Sequence, residues 1–70
     1  MARLGRADGL TVREVEILRL VAASMTNRQT AERLGLSIRT VDAHLRSIYA
    51  KLGIKSRSAA TRYAVEHNLA

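Results

Sequence analysis

The chain contains no cysteine and no proline, and only two of its 70 residues, Tyr49 and Tyr63, are aromatic. Without cysteine, neither a disulfide nor a thiolate zinc site can stabilise the fold. Two aromatic rings are too few for a surface that stacks the bases of an oligonucleotide. Because proline is absent while alanine, leucine and arginine are abundant, the composition favours helices.

Long apolar runs are absent as well. The longest uninterrupted one, residues 20–23, is far shorter than the ~20 residues that span a bilayer. The basic start of the chain leads into no apolar segment of the kind found in signal peptides. We therefore expect residues 1–9 to be a linker or a cloning remnant and residues 10–70 to form one domain. We expect a cytoplasmic protein that does not contact a membrane.

The charge is strongly positive and unevenly distributed. Twelve lysine and arginine residues stand against six acidic ones, which gives a net charge of +6. Residues 26–62 hold eight of the basic and two of the acidic side chains, so this segment alone accounts for the whole net charge. Hydrophobic residues make up 47%, too many for a disordered basic tail. These features predict a folded domain with an anionic partner.

Capping residues mark the first two helices. Thr11 with Glu14, and Thr26 with Gln29, have the spacing of a capping box, in which the first and fourth residues bond each other's backbone N–H groups. They predict a first helix over about 12–23 and a short second helix that begins after Thr26.

The third helix has the most regular apolar pattern. Gly35 suits a left-handed end of the second helix, and Ser37 caps the next one. From about residue 38 to 52, one narrow apolar stripe consists of Val41, Leu45, Ile48 and Leu52. The opposite face carries Arg39, Ala43, Arg46 and Ala50. Gly53 then ends the helix.

A fourth helix follows, capped by Ser56 or Ser58, with Ala60, Tyr63 and Ala64 on its inner face. Four helices with short connections predict an all-α fold, a four-helix bundle. The second and third helices, joined by a short glycine turn, form a helix-turn-helix. A basic segment over such a motif is the electrostatic pattern of duplex DNA binding.

Several short motifs together carry a family resemblance. They are Leu10-Thr11 with Arg13-Glu14, Thr26-Asn27-Arg28, Ala31-Glu32-Arg33-Leu34, Thr40-Val41 with His44, Lys51-Leu52-Gly53 and Ser56-Arg57. In combination they are highly specific, and they cover nearly all of the expected domain. On these motifs the chain resembles the LuxR-type (GerE-like) DNA-binding domain of bacterial transcription regulators.

The resemblance implies a domain whose third helix enters the major groove of DNA. It places three side chains at the base edges, namely Asp42, Ala43 and Arg46. It places Arg39 and the early second-helix residues Asn27 and Arg28 at phosphates. Further candidates for phosphate contact are Thr40, Lys55 and Arg57. The fourth helix would pair two domains through a face that carries Ser58, Thr61 and Arg62.

The chain departs from the family pattern at three places. Asp42 stands where the family often carries lysine, and Thr30 replaces a large aliphatic residue, which we expect to loosen the packing of the first three helices. The polar pairing face on the fourth helix predicts a monomer, or a homodimer that forms weakly or on DNA. Simpler roles stay open: Arg46, Lys55 and Arg57 as solvated charges, and Asp42 as an acid that stabilises a helix N-terminus.

The leading hypothesis is sequence-specific binding of double-stranded DNA, as the output domain of a bacterial transcription regulator. RNA polymerase is a further candidate partner, and we expect the chain to be a fragment without its sensor domain. The alternative is a helical protein-interaction module that resembles sigma-factor region four.

No catalytic, cofactor or metal site is predicted. Asp42 and His44, two positions apart on a helix, point to different faces, and no serine has a base at a useful spacing. Two histidines without cysteine make a poor zinc site.

Overall fold

The computed structural model describes residues 9–69, and these residues fold into four α-helices. The helices are α1 (Val12–Ala22), α2 (Asn27–Leu34), α3 (Ile38–Leu52) and α4 (Arg57–Glu66). The predicted all-α fold is confirmed, and α2 and α3 form the helix-turn-helix. The predicted linker lies outside the described residues, except for Gly9.

The helix starts are fixed by the predicted caps. The Thr11 hydroxyl accepts a hydrogen bond from the Glu14 N–H at 3.1 Å, and the Glu14 carboxylate accepts one from the Thr11 N–H at 2.9 Å. Thr26 and Gln29 form the same reciprocal pair at the start of α2. Each box satisfies two backbone groups that a helix end would otherwise leave without partners.

Two serines cap the remaining helices. The Ser37 hydroxyl accepts from the Thr40 N–H at the start of α3. Ser56, rather than Ser58, caps α4, since its hydroxyl accepts from the Ala59 N–H.

Left-handed residues end the first three helices. Gly35 and Gly53 follow α2 and α3 with φ of 71° and 69°, a conformation that glycine adopts without strain. The end of α1 differs, because Ser24 takes up a φ of 69° without being glycine. Ala23 therefore lies at the C-cap, and α1 ends one residue earlier than predicted.

The core lies where α1 crosses the other helices. The apolar stripe of α3 is buried at Val41, Leu45 and Ile48, whereas Leu52 is half-buried. α1 contributes Val15, Ile17, Leu18 and Val21. α4 contributes Ala60 and Ala64, which are both fully buried. Their small side chains let the backbones of α1 and α4 approach closely.

Thr30 on α2 is fully buried within this core. Its Oγ1 has no hydrogen-bond partner, and the same holds for the buried hydroxyl of Tyr63. A buried hydroxyl without a partner destabilises the fold, because it loses its hydrogen bonds to water and gains none.

Among the described residues, no helix combines the length and the apolar character needed to cross a bilayer. The same residues contain no group of three or more acidic or histidine side chains placed to hold a metal ion.

Candidate nucleic-acid interface

The outer face of α3 is a polar surface opposite the buried stripe. Arg39, Ala43, Arg46 and Ala50 are all exposed on it, as the helical spacing predicts. Within residues 9–69, no ion pair or hydrogen bond engages the Arg46 guanidinium; the ion pairs found there are Arg13–Glu16 and Lys51–Glu14. Arg46 therefore presents five N–H donors to the solvent from the middle of the face.

A chain of hydrogen bonds joins three of the predicted site residues on one flank of this face. The side-chain amide of Asn27, the first residue of α2, donates to the Asp42 carboxylate at 2.6 Å. The Asn27 carbonyl accepts from Nη1 of Arg57, the first residue of α4, at 2.7 Å. The other guanidinium nitrogen, Nη2, donates to the backbone carbonyl of Met25. The starts of α2 and α4 are thus fastened to α3.

These three residues share a shallow groove with Arg46. The groove has a volume of about 320 Å³ and is lined by Asn27, Asp42, Leu45, Arg46, Tyr49 and Arg57. Four of the nine residues predicted to contact DNA therefore lie together at one place. Their charges are mixed, because they include two guanidinium groups and one carboxylate.

The other predicted DNA contacts lie outside this groove. Arg28, Arg39 and Lys55 are exposed at the starts of α2 and α3 and just before α4. Thr40 is half-buried, and its hydroxyl lies 2.9 Å from the hydroxyl of Ser37, so it is already hydrogen-bonded within the protein.

α3 is held against α1 by a buried carboxylate. Glu14 is 4% exposed, and it accepts hydrogen bonds from the Ser47 hydroxyl at 2.7 Å and from the Lys51 ammonium at 2.8 Å. Burial by itself raises the pKa of this carboxyl. The hydrogen bonds from Lys51, Thr11 and Ser47, with the charge of Lys51, outweigh burial and lower the pKa to about 2. Glu14 is therefore ionised at neutral pH and fixes the flank of α3 opposite to Asp42.

The predicted pairing face on α4 contains an apolar residue that sequence reasoning missed. Ser58 and Arg62 are exposed and Thr61 is half-buried. Val65, one turn further along the same face, is 59% exposed. The helical spacing of residues 58, 61, 62 and 65 was a usable signal for this surface.

Two sets of contacts between helices were also missed by sequence reasoning. The sequence predicts Glu14 only as part of the capping box, and no local pattern indicates that it also binds Ser47 and Lys51. The chain from Arg57 through Asn27 to Asp42 was also missed, since it joins residues that are 30 and 15 positions apart.

The comparisons with known proteins agree with the fold. The family model described as bacterial regulatory proteins, luxR family, matches residues 8–64. The chain belongs to this family. The four helices are therefore a LuxR-type helix-turn-helix domain of the kind found in DNA-binding transcription regulators, which confirms the predicted family.

Two curated relatives illustrate the similarity. The transcriptional regulatory protein MctR of Rhizobium johnstonii is 38% identical over 63 residues, which are 90% of this chain and 29% of that protein. The oxygen regulatory protein NreC of Staphylococcus aureus is 43% identical over 60 residues, which are 86% of this chain and 28% of that protein. The chain thus spans less than a third of the length of these relatives.

A solved structure shares the fold. The crystal structure of the response regulator ChrA, from a heme-sensing two-component system, superposes with a TM-score of 0.81 at 42% sequence identity. The match covers 89% of this chain and 31% of that one.

Proposed function

We propose that this domain binds double-stranded DNA in a sequence-specific manner, with α3 in the major groove, as the output domain of a bacterial transcription regulator. The observation that carries the proposal is the guanidinium of Arg46, which is exposed on the face of α3 opposite the buried stripe and has no partner within residues 9–69. An α-helix fits the major groove, and arginine there can donate two hydrogen bonds to O6 and N7 of guanine.

In this arrangement Asp42, Ala43 and Arg46 face the base edges, and the Ala43 methyl group suits contact with the methyl group of thymine. Arg28, Arg39, Thr40 and Lys55 would bind phosphates, which would fix the register of α3. Phosphate contact by Asn27 and Arg57 stays a prediction, and their hydrogen bonds within the protein favour a different role.

Two copies of the domain would pair through Ser58, Thr61, Arg62 and Val65 when DNA presents two half-sites. The polar members of this face make such a dimer weak without DNA, since burying an unpaired arginine is costly. RNA polymerase stays a predicted further partner. The predicted location stays the cytoplasm, where the bacterial chromosome lies.

Selection of bound duplexes from a random pool tests the proposal directly. We expect enrichment of one short sequence, and an affinity for it that falls as salt rises, with a log–log slope of about −0.9 for each phosphate contact. A protein-interaction module would give no enriched sequence. A binding constant that does not change with salt would also contradict the proposal.

A further inference from the structure

The hydrogen bonds of Asn27 leave only one orientation for its amide. Arginine can only donate and an ionised carboxylate can only accept, so the Asn27 carbonyl must face Arg57 and its NH2 group must face Asp42. The donor chain therefore runs in one direction, from α4 through α2 to α3, and ends on Oδ1 of Asp42.

Asp42 lies at the end of this chain with an acceptor to spare. Its side chain is exposed in the groove beside Arg46, and no donor within residues 9–69 reaches its Oδ2. Arg46, one turn away, forms no ion pair with it in that part of the chain. A free lone pair on the outer flank of α3 is available to accept a hydrogen bond from a base edge.

A helix-dipole role accounts poorly for Asp42. α3 begins at Ile38, which makes Asp42 its fifth residue. The favourable effect of an acid at a helix N-terminus falls off within the first turn, and Asp42 lies beyond that turn. The hydrogen bond from Asn27 explains why Asp42 is held in place, but it leaves Oδ2 and the negative charge without a structural partner.

We propose that Asp42 is a specificity-determining residue that selects a base with an exocyclic amino group, and cytosine first, while Asn27 and Arg57 position it. In the major groove the cytosine N4 group is a donor, whereas guanine and thymine present oxygen acceptors that repel a carboxylate. Adenine also has an amino donor, but its neighbouring N7 is an acceptor and makes it the weaker choice. This inference rests on the proposed function and assigns Arg57 to base selection rather than to a phosphate.

The decisive variant is Arg57→Lys, which keeps the positive charge but loses the two-pronged contact with Asn27 and Met25. Duplexes that differ only at the selected position, with C, A, G or T there, are compared by fluorescence anisotropy at two salt concentrations. We expect the wild-type preference for cytosine over guanine to be roughly tenfold. In the variant it should largely disappear, through weaker binding of the cytosine duplex. The log–log slope of affinity against salt concentration should be the same in the variant as in the wild type.

Asp42→Asn and Asn27→Ala test the two other residues of the hydrogen-bond chain. Asparagine at position 42 should move the preference to adenine, which it can bind through both N6 and N7, and should tighten binding to random duplex. Asn27→Ala should weaken the cytosine preference as Arg57→Lys does, while the Thr26 cap keeps α2 formed. Arg33→Lys is the matched control, since Arg33 is an exposed arginine that lines a different surface of α2. It should change neither quantity.

Three results would overturn the inference. One is an unchanged cytosine preference in a folded Arg57→Lys variant or in Asn27→Ala, with folding checked by circular dichroism. A second is an Arg57→Gln variant that weakens all four duplexes equally and reduces the salt slope by about 1, as loss of a phosphate contact does. The third is a wild-type site in which no position responds to Asp42→Asn, which would refute the inference but not the proposed function. Wild-type protein that enriches no sequence would refute both.

Discussion

The ammonium of Lys51 lies 2.8 Å from the carboxylate of Glu14, and this ion pair joins the end of α3 to the beginning of α1. The Glu14 side chain is 5% exposed and that of Lys51 is 35% exposed, so the carboxylate is buried while the ammonium reaches solvent. The pair holds the flank of α3 opposite to Asp42 against the beginning of α1, so it contributes to stability and to the orientation of α3 relative to α1.

The stability of the domain should depend on Glu14 at acid pH. The pKa of Glu14 is about 2 in the folded chain and 4.5 without the fold, so the unfolded chain binds the proton first as pH falls. The stabilisation is fully present above about pH 4.5 and is lost as pH falls toward 2. It is on the order of 3 kcal/mol.

Thermal unfolding of Glu14→Gln, followed between pH 7 and pH 2, measures this contribution. Glutamine keeps the capping box, as Gln29 does in α2, but loses the charge. We expect a lower melting temperature at neutral pH and a weaker dependence on pH. A variant that melts like the wild type at pH 7 would show that the ion pair adds nothing.

The left-handed Ser24 offers a stabilising substitution. A φ of 69° strains a residue that has a Cβ atom by roughly 1 kcal/mol, and glycine removes the strain. We expect Ser24→Gly to raise the melting temperature by about 4–8 °C, as 1 kcal/mol does in a domain of this size. The neighbouring Ala23 has a φ of −85°, so Ala23→Gly should lower it. Equal effects of the two substitutions would contradict the assignment of strain to Ser24.

Replacing Thr30 by valine should stabilise the domain. The two side chains have nearly the same shape, and valine removes the buried hydroxyl that has no partner. We expect Thr30→Val to increase the free energy of unfolding by about 1 kcal/mol in urea denaturation. Thr30→Ser keeps the hydroxyl, deletes a methyl group and should decrease it. If Thr30→Val is destabilising, the hydroxyl has a partner, and the packing of α2 has to be reconsidered.

The helix bounds were predictable because their causes are local. A cap at Thr26 and a glycine at position 35 act within a few residues, and the stripe from Val41 to Leu52 repeats within one helix. The end of α1 was missed by one residue, since Ser24 gives no sign in the sequence that it will adopt a left-handed conformation.

The contacts between helices were not predictable in the same way. Glu14 meets Ser47 and Lys51 across 33 and 37 positions, and Asn27 meets Arg57 across 30. Such contacts depend on how the helices pack against one another. No spacing pattern within a single sequence indicates that packing. The spacing of the site residues therefore predicted which face of α3 is exposed, but not that Asp42 is held by Asn27.

The exposed Val65 leads to a prediction about pairing. The 70-residue chain should sediment as a monomer at micromolar concentration, because one valine among polar side chains buries too little apolar area for a stable dimer. On DNA with two half-sites, Val65→Ser should reduce cooperative binding and leave the affinity for a single half-site unchanged. Val12→Ser is the control, since Val12 is similarly exposed at the start of α1. A stable dimer without DNA would refute the prediction.

Arg46 gives the sharpest test of the recognition face. Its guanidinium is free of partners within residues 9–69, and its Cα lies opposite the stripe that contains Val41 and Ile48, so truncation leaves no cavity in the core. We expect Arg46→Ala to weaken binding to the selected duplex by about 1–3 kcal/mol and to relax the preference at one base pair, with the melting temperature unchanged. Arg33→Ala removes the same charge from a surface of α2 that lies outside the groove, and it should leave that preference intact.

Gel-shift titrations of both variants at one salt concentration separate lost recognition from lost charge. Equal losses for Arg46→Ala and Arg33→Ala, or unfolding of Arg46→Ala, would place the recognition face elsewhere.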